Sequence, residues 1–182
     1  MILPIRIYPD SVLKQKGELV NSDYTDLKKL IEDMFETMYA ASGIGLAAQQ
    51  IGLALQLFVI DISHYSEGDE KLKGFKKVFI NTEILETSED IRDVEEGCLS
   101  FPSLSINVKR PERIRIKYFD ENFIEHDEWF DSLAARCILH EYDHTQGIVF
   151  TDRIDGLRRA LIKSKLDKIV KRNFLTNYKV KR

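Results

Sequence analysis

The stretch RIRIKYFDENFIEHDEWFDSLAARCILHEYDH, residues 113–144, changes period midway, and that change decides the fold. RIRIKYF (113–119) alternates apolar and polar side chains, as a strand with one buried face does. FIEHDEWF (123–130) continues in β-rich sequence, and Asp120-Glu121-Asn122 between the two is a hairpin turn signal. Asp131 or Ser132 then caps a helix over 132–146, which Gly147 ends. Working outward, SINVKR (105–110), VFINTEIL (78–85) and LQLFVIDI (55–62) read as strands, with a loop from Ser63 to Gly74. Ahead of them Leu27, Leu30, Ile31, Met34, Phe35, Met38 and Tyr39 recur at helical spacing, with caps among Ser22 to Thr25 and a stop at Gly43. Beyond Gly147, a last helix runs from about Gly156 to Lys171, with Leu157, Leu161, Ile162, Leu166, Ile169 and Val170 on its apolar side. This order predicts an α+β fold: mostly antiparallel sheets around a central helix, with N-terminal and C-terminal helices.

A chain of 182 residues, 43% hydrophobic and 31% charged, suits one domain over 1–182, with a basic helix and tail over about 156–182. No apolar run approaches the roughly 20 residues that span a bilayer. The start, MILPIRIYPD, breaks at Pro4, Arg6 and Pro9, too early for a signal peptide and without the bias of a transit peptide. A cytoplasmic protein is expected. Two cysteines, Cys98 and Cys137, make no disulfide scaffold, so each is core filler, nucleophile or ligand. The net charge of -3 is uneven: ten Lys/Arg face one acid, Asp167, between Arg158 and Arg182. That stretch is either a solvated helix face or a basic arm for RNA or another acidic surface.

HEYDH (140–144) lies on the predicted central helix. Histidines at i and i+4 point the same way, so both can reach one metal ion. Glu141 projects about 100° round the helix, beside the place of an activated water. The alternative is two surface histidines on a charged helix. A catalytic site needs a third protein ligand and an open position. His64 lies in a polar loop and His126 amid acids in a hairpin strand, and both are expected to face solvent. Cys137 precedes His140 by three residues and reads as a buried thiol, because three ligands from one short helix crowd a metal. Cys98, in VEEGCLSFP (94–102), is better aimed if Gly97 allows close backbone approach, though an isolated buried cysteine is the commoner outcome. GIGLAAQQ (43–50) lacks the strand and downstream acid of a dinucleotide fold. It reads as an exposed extended segment able to pair with a peptide, with Gln49 or Gln50 as an amide donor or both solvated.

GIGLAAQQ, EGCLS (96–100) and HEYDH together resemble, in order and spacing, the three motifs of the peptide deformylases: G-x-G-x-A-A-x-Q, E-G-C-x-S and H-E-x-D-H. The likeness extends through IYPDSVL (7–13), EDMFETMYA (32–40) and VFTDRID (149–155). The resemblance implies that Cys98, His140 and His144 bind one divalent metal on the central helix. Glu141 would be the general base, with Gln50 and the Leu99 N–H as oxyanion donors. The implied metal is iron(II) in the cell, with Zn2+, Ni2+ or Co2+ able to replace it. The implied substrate is the formyl-methionine end of a nascent polypeptide, cut to formate and a free amine. Ile44, Val94, Leu133 and Cys137 are the pocket candidates, and Gly45 would pair with the substrate backbone. The basic C-terminal helix resembles that of bacterial members, where such a helix can approach the ribosome; no membrane or DNA partner is implied. Thr145 stands where the family more often has leucine. Ser103 stands near a common glycine and Ser105 near an arginine of some members, so the peptide-binding rim is expected to differ.

Two other readings are open. A general zinc peptidase could use H-E-x-x-H, although Cys98 as third ligand speaks against it. A metal-stabilised binding module without activity would be expected to have lost Glu141 or Gln50, and both are present.

Overall fold

In the computed structural model, which describes residues 1–67 and 69–181, every residue of Leu57–Asp61 is buried. Successive side chains leave opposite faces of a strand. Leu57 and Val59 enter one hydrophobic core, and Phe58 and Ile60 enter another. A sheet covered on both faces explains why this stretch reads as one continuous apolar run.

The described residues form strands β1 (Gly45–Ala47), β2 (Leu57–Asp61), β3 (Lys76–Thr87), β4 (Ile91–Gly97), β5 (Ser105–Pro111), β6 (Arg113–Phe119) and β7 (Glu125–Asp131). An antiparallel sheet has the order β1-β2-β3-β6-β7, and β4 and β5 pair in a separate ribbon. Helix α1 (Leu27–Ala40) covers one face of the sheet through Ile31, Met34 and Met38. Helix α2 (Ser132–Thr145) covers the other through Ala134, Ala135 and Ile138, and its outer side meets β5. Buried between sheet and ribbon, α2 is the central helix the sequence predicts. Helix α3 (Gly156–Val170) follows. The hairpin before α2 turns at Asp120, whose Oδ1 accepts from the N–H groups of Asn122 and Ile124.

The structure corrects two expectations and adds one strand. On α3 only Ile162 and Ile169 are buried, with Leu166 packed beside them; Leu157 and Leu161 are 75% and 76% exposed. Spacing of four and three residues gives a narrow seam, and the other apolar residues fall off it. Past α1 the left-handed residue is Ser42 (φ 55), not Gly43. Gly43 is needed for space instead: a Cβ there would stand 2.8 Å from Leu99 Cδ1. The added strand is β4, which the sequence does not mark because Glu96 is its one buried residue and no apolar alternation results. Among the described residues no helix is long and apolar enough to cross a membrane.

Candidate metal centre and active site

One turn apart on α2, His140 and His144 are both buried, with ring centroids 5.2 Å apart. The loop leaving β4 brings Cys98 to them, with Sγ 3.3 Å from His144 Nε2. One ligand atom from each of the three lies within 4.8 Å of the other two. Gly97 has no part in this by close approach, since a Cβ there would meet only Ser105 Oγ at 3.8 Å. His126 and His64 do not join the cluster; His126 is 2.9 Å from Asp120 and stacks on Tyr118.

Glu96 orients the first histidine, its Oε2 lying 2.9 Å from His140 Nδ1. Arg110 and Arg136 donate to the same carboxylate, and Arg110 reaches on to Asp143 at 2.8 Å. Burial works against ionised Glu96, but hydrogen bonds from His140 and Arg110 outweigh it and hold the carboxyl at about 2. These residues were not anticipated. Arg110 did carry a signal: it follows Ile106 and Val108 on the buried face of β5, an inward-pointing charge in an alternating strand.

Glu141 is buried beside Gly45, close enough that a Cβ on Gly45 would stand 2.5 Å from Glu141 Oε1. Its Oε2 has no hydrogen-bond partner among the described residues. Burial pushes the Glu141 carboxyl up to about 7, against the pull of His140 and Arg110. GIGLAAQQ, expected to be exposed, is instead largely buried: Gly45–Ala47 is buried edge strand and both glutamines are buried. Gln50 Oε1 accepts from the Ala47 N–H at 2.8 Å, which turns Nε2 toward Cys98 Sγ (3.7 Å) and Ser100 Oγ (3.4 Å).

These groups open on a cavity of about 490 Å³ lined by Ile44, Gly45, Gln50, Leu99, Leu133, Cys137, His140 and Glu141. Val94 is absent from the wall: it shares a face of β4 with Glu96 but stands two residues farther from the loop and is 45% exposed. Arg136, Tyr65 and Tyr178 line the cavity without having been anticipated. Burial raises the Tyr178 phenol well above its ordinary value, and the nearby Cys98 adds to this. Burial also pushes the Cys137 thiol up to about 12. At the rim Ser103 is left-handed (φ 59). Thr145 is buried and donates to the Tyr142 carbonyl at 2.7 Å, satisfying its hydroxyl locally.

The donors fit a divalent metal. Glu96 occupies His140 Nδ1, leaving Nε2 free for the cluster, and His144 Nε2 already faces Cys98. Sulfur and two imidazole nitrogens with a carboxylate behind one ring make a catalytic donor set with its outer support. Burial disfavours a charged imidazole at both positions; contacts with Cys98 and Glu96 nevertheless carry His140 well above the ordinary histidine value, while His144 lies well below it. A cation among them would favour thiolate and neutral rings together.

A sequence model described as polypeptide deformylase matches residues 2–160. A peptide deformylase of Christiangramia forsetii is 44% identical, covering 100% of this chain and 96% of its own length. One from Cytophaga hutchinsonii is also 44% identical, over 100% of this chain and 97% of its own. A crystal structure of a peptide deformylase from Legionella pneumophila superposes with a TM-score of 0.81 at 38% identity, covering 94% of this chain and 96% of that one. With the motif residues gathered around one cavity, these likenesses show that the chain belongs to the polypeptide deformylase family, hydrolases that remove the formyl group from the N-terminal methionine of newly made proteins.

Proposed function

We infer that the chain deformylates N-formyl-methionyl peptides with Cys98, His140, His144, Glu141, Gln50 and Leu99 as its working groups. The observation that carries this reading is the convergence of the Cys–His–His cluster, a buried carboxylate and an aimed amide at one cavity. A divalent cation held by Cys98, His140 and His144 would supply a polarising charge and a water acidified towards neutrality.

The remaining chemistry belongs to the chain. Glu141, its carboxyl pushed up to about 7, takes the proton of the attacking water and returns it to the departing amine. The Gln50 Nε2 and the Leu99 N–H donate to the oxyanion, interactions that gain strength as charge develops. Ile44, Leu133 and Cys137 receive the methionine side chain, and the unpaired side of β1 at Gly45 pairs with the peptide backbone.

Iron(II) is the cell's occupant on this reading, with Zn2+, Ni2+ or Co2+ able to use the same donors. The exposed lysines of α3, Lys163 and Lys168 among them, suit a cytoplasmic enzyme that meets the ribosome. Reversing both charges should weaken salt-sensitive ribosome pelleting; unchanged pelleting removes that partner.

The deciding experiment is formate release from formyl-Met-Ala-Ser by protein purified without oxygen, with metal content assayed beside a Cys98→Ala variant. Metal-dependent release, lost in the variant together with the metal, supports the reading. Cleavage of internal peptide bonds without formate release would favour a peptidase.

A further inference from the structure

The matched family segment stops at residue 160, yet the chain beyond it returns to the active site. Val180 pairs with Ile5 in a parallel bridge, the Ile5 N–H donating to Lys179 O and the Lys181 N–H to Ile5 O, both at 2.9 Å. This clasp sets Tyr178 in the cavity wall, where its hydroxyl donates to the Leu99 carbonyl at 2.7 Å.

Three successive carbonyls of the metal-ligand loop are then each held by one donor. The Phe101 N–H donates to Cys98 O at 2.9 Å, Tyr178 holds Leu99 O, and the Tyr8 N–H donates to Ser100 O at 3.0 Å. The middle bond alone comes from a side chain and from outside the matched segment. It fixes the peptide that follows Leu99. The peptide before it carries the Leu99 N–H, which donates to no group among the described residues.

We propose that Tyr178 is a positioning residue of the active site: by holding the Leu99 carbonyl it sets the turn that aims the Leu99 N–H at the reacting carbonyl and the Cys98 sulfur at the histidines. This rests on the oxyanion role proposed above for Leu99. The C-terminal tail is thereby part of the catalytic apparatus.

Tyr178→Phe keeps the ring and its packing and removes the one hydroxyl. The two proteins are compared in kcat and KM for formyl-Met-Ala-Ser and in hydrogen exchange of the segment Cys98–Phe101. Loss of one aimed hydrogen bond should lower kcat about tenfold. KM should change little, and exchange of the segment should quicken while the rest of the chain exchanges as before. Unchanged kcat overturns the proposal whatever the exchange does, and lowered kcat with unchanged exchange overturns positioning as the cause. If wild-type protein releases no formate, the deformylase reading and Leu99's oxyanion role fall together. Exchange then decides what is left: a quickened segment keeps Tyr178 as a restraint on the Cys98 loop, and an unchanged one overturns that too.

Discussion

Glu96 Oε2 lies 2.9 Å from His140 Nδ1, so the carboxylate that accepts from buried Arg110 and partly buried Arg136 also fixes which histidine nitrogen faces Cys98 and His144. A ring that donates through Nδ1 offers Nε2 as a more basic ligand, and losing such support costs about 10–100-fold in metal affinity. Glu96→Gln, which keeps the volume, should therefore weaken zinc binding by about that factor in competition with a chelator. Glu96→Ala should in addition destabilise the fold, by less than the about 3–5 kcal/mol of a buried charge left unpaired, because Arg110 loses one of its two buried acids and keeps Asp143. Unaltered zinc affinity in the glutamine variant would reduce Glu96 to a counter-ion for the arginines.

Gly45→Ala is expected to act through Glu141. The added methyl would lie 2.5 Å from Glu141 Oε1 and 2.8 Å from its Cγ, and Glu141 is buried except where it lines the cavity. The carboxylate must move while the backbone stays, and an ångström-scale displacement of a catalytic group costs about 10²-fold in rate. A thermal midpoint near that of the wild type together with a large fall in kcat is the predicted result. Equal kcat would mean that the carboxylate has room to move and still reach the water.

Gln50 tests the oxyanion hole. The Ala47 N–H fixes the amide by bonding Oε1, so Nε2 is aimed before substrate arrives. Gln50→Glu can keep that bond yet has no proton to donate. Its kcat should fall about 10²–10³-fold, the cost of one such donor, with KM nearly unchanged. A variant that lost KM alone would place the amide in substrate binding.

Legibility in the sequence followed the physics of each element. RIRIKYF became β6 at Arg113–Phe119 because, away from the doubly covered β2, this strand buries only the face of Ile114, Ile116 and Tyr118. The motifs named Cys98, His140 and His144, which the fold brings together, because donor chemistry is written into residue type. Three features escaped. The β4 strand is exposed, so no apolar pattern marks it. Val94 is apolar and suits a methionine pocket by type, yet register along β4 sets it off the cavity. Tyr178 reaches the site because the tail pairs with Ile5, a contact between chain ends that no local pattern announces. Arg110 is the intermediate case, a charge standing at an inward position.

The two cysteines should separate by reactivity. Cys98 is partly exposed and stands within 4.8 Å of both histidines, whereas Cys137 is 7% exposed with its thiol pushed up to about 12 by burial. A thiol reacts as the thiolate, so at pH 8 Cys137 has almost none to offer in the folded protein. A bound metal withholds the Cys98 sulfur from reagent in the same way. Zinc-loaded protein should thus give slow reaction with a disulfide reagent, chelated protein one fast thiol, and denatured protein two. Cys98→Ala should give none until it unfolds. Two fast thiols in chelated, folded protein would show that Cys137 is open to solvent through the cavity it lines. A fast thiol in protein that keeps its zinc would remove Cys98 from the ligand set.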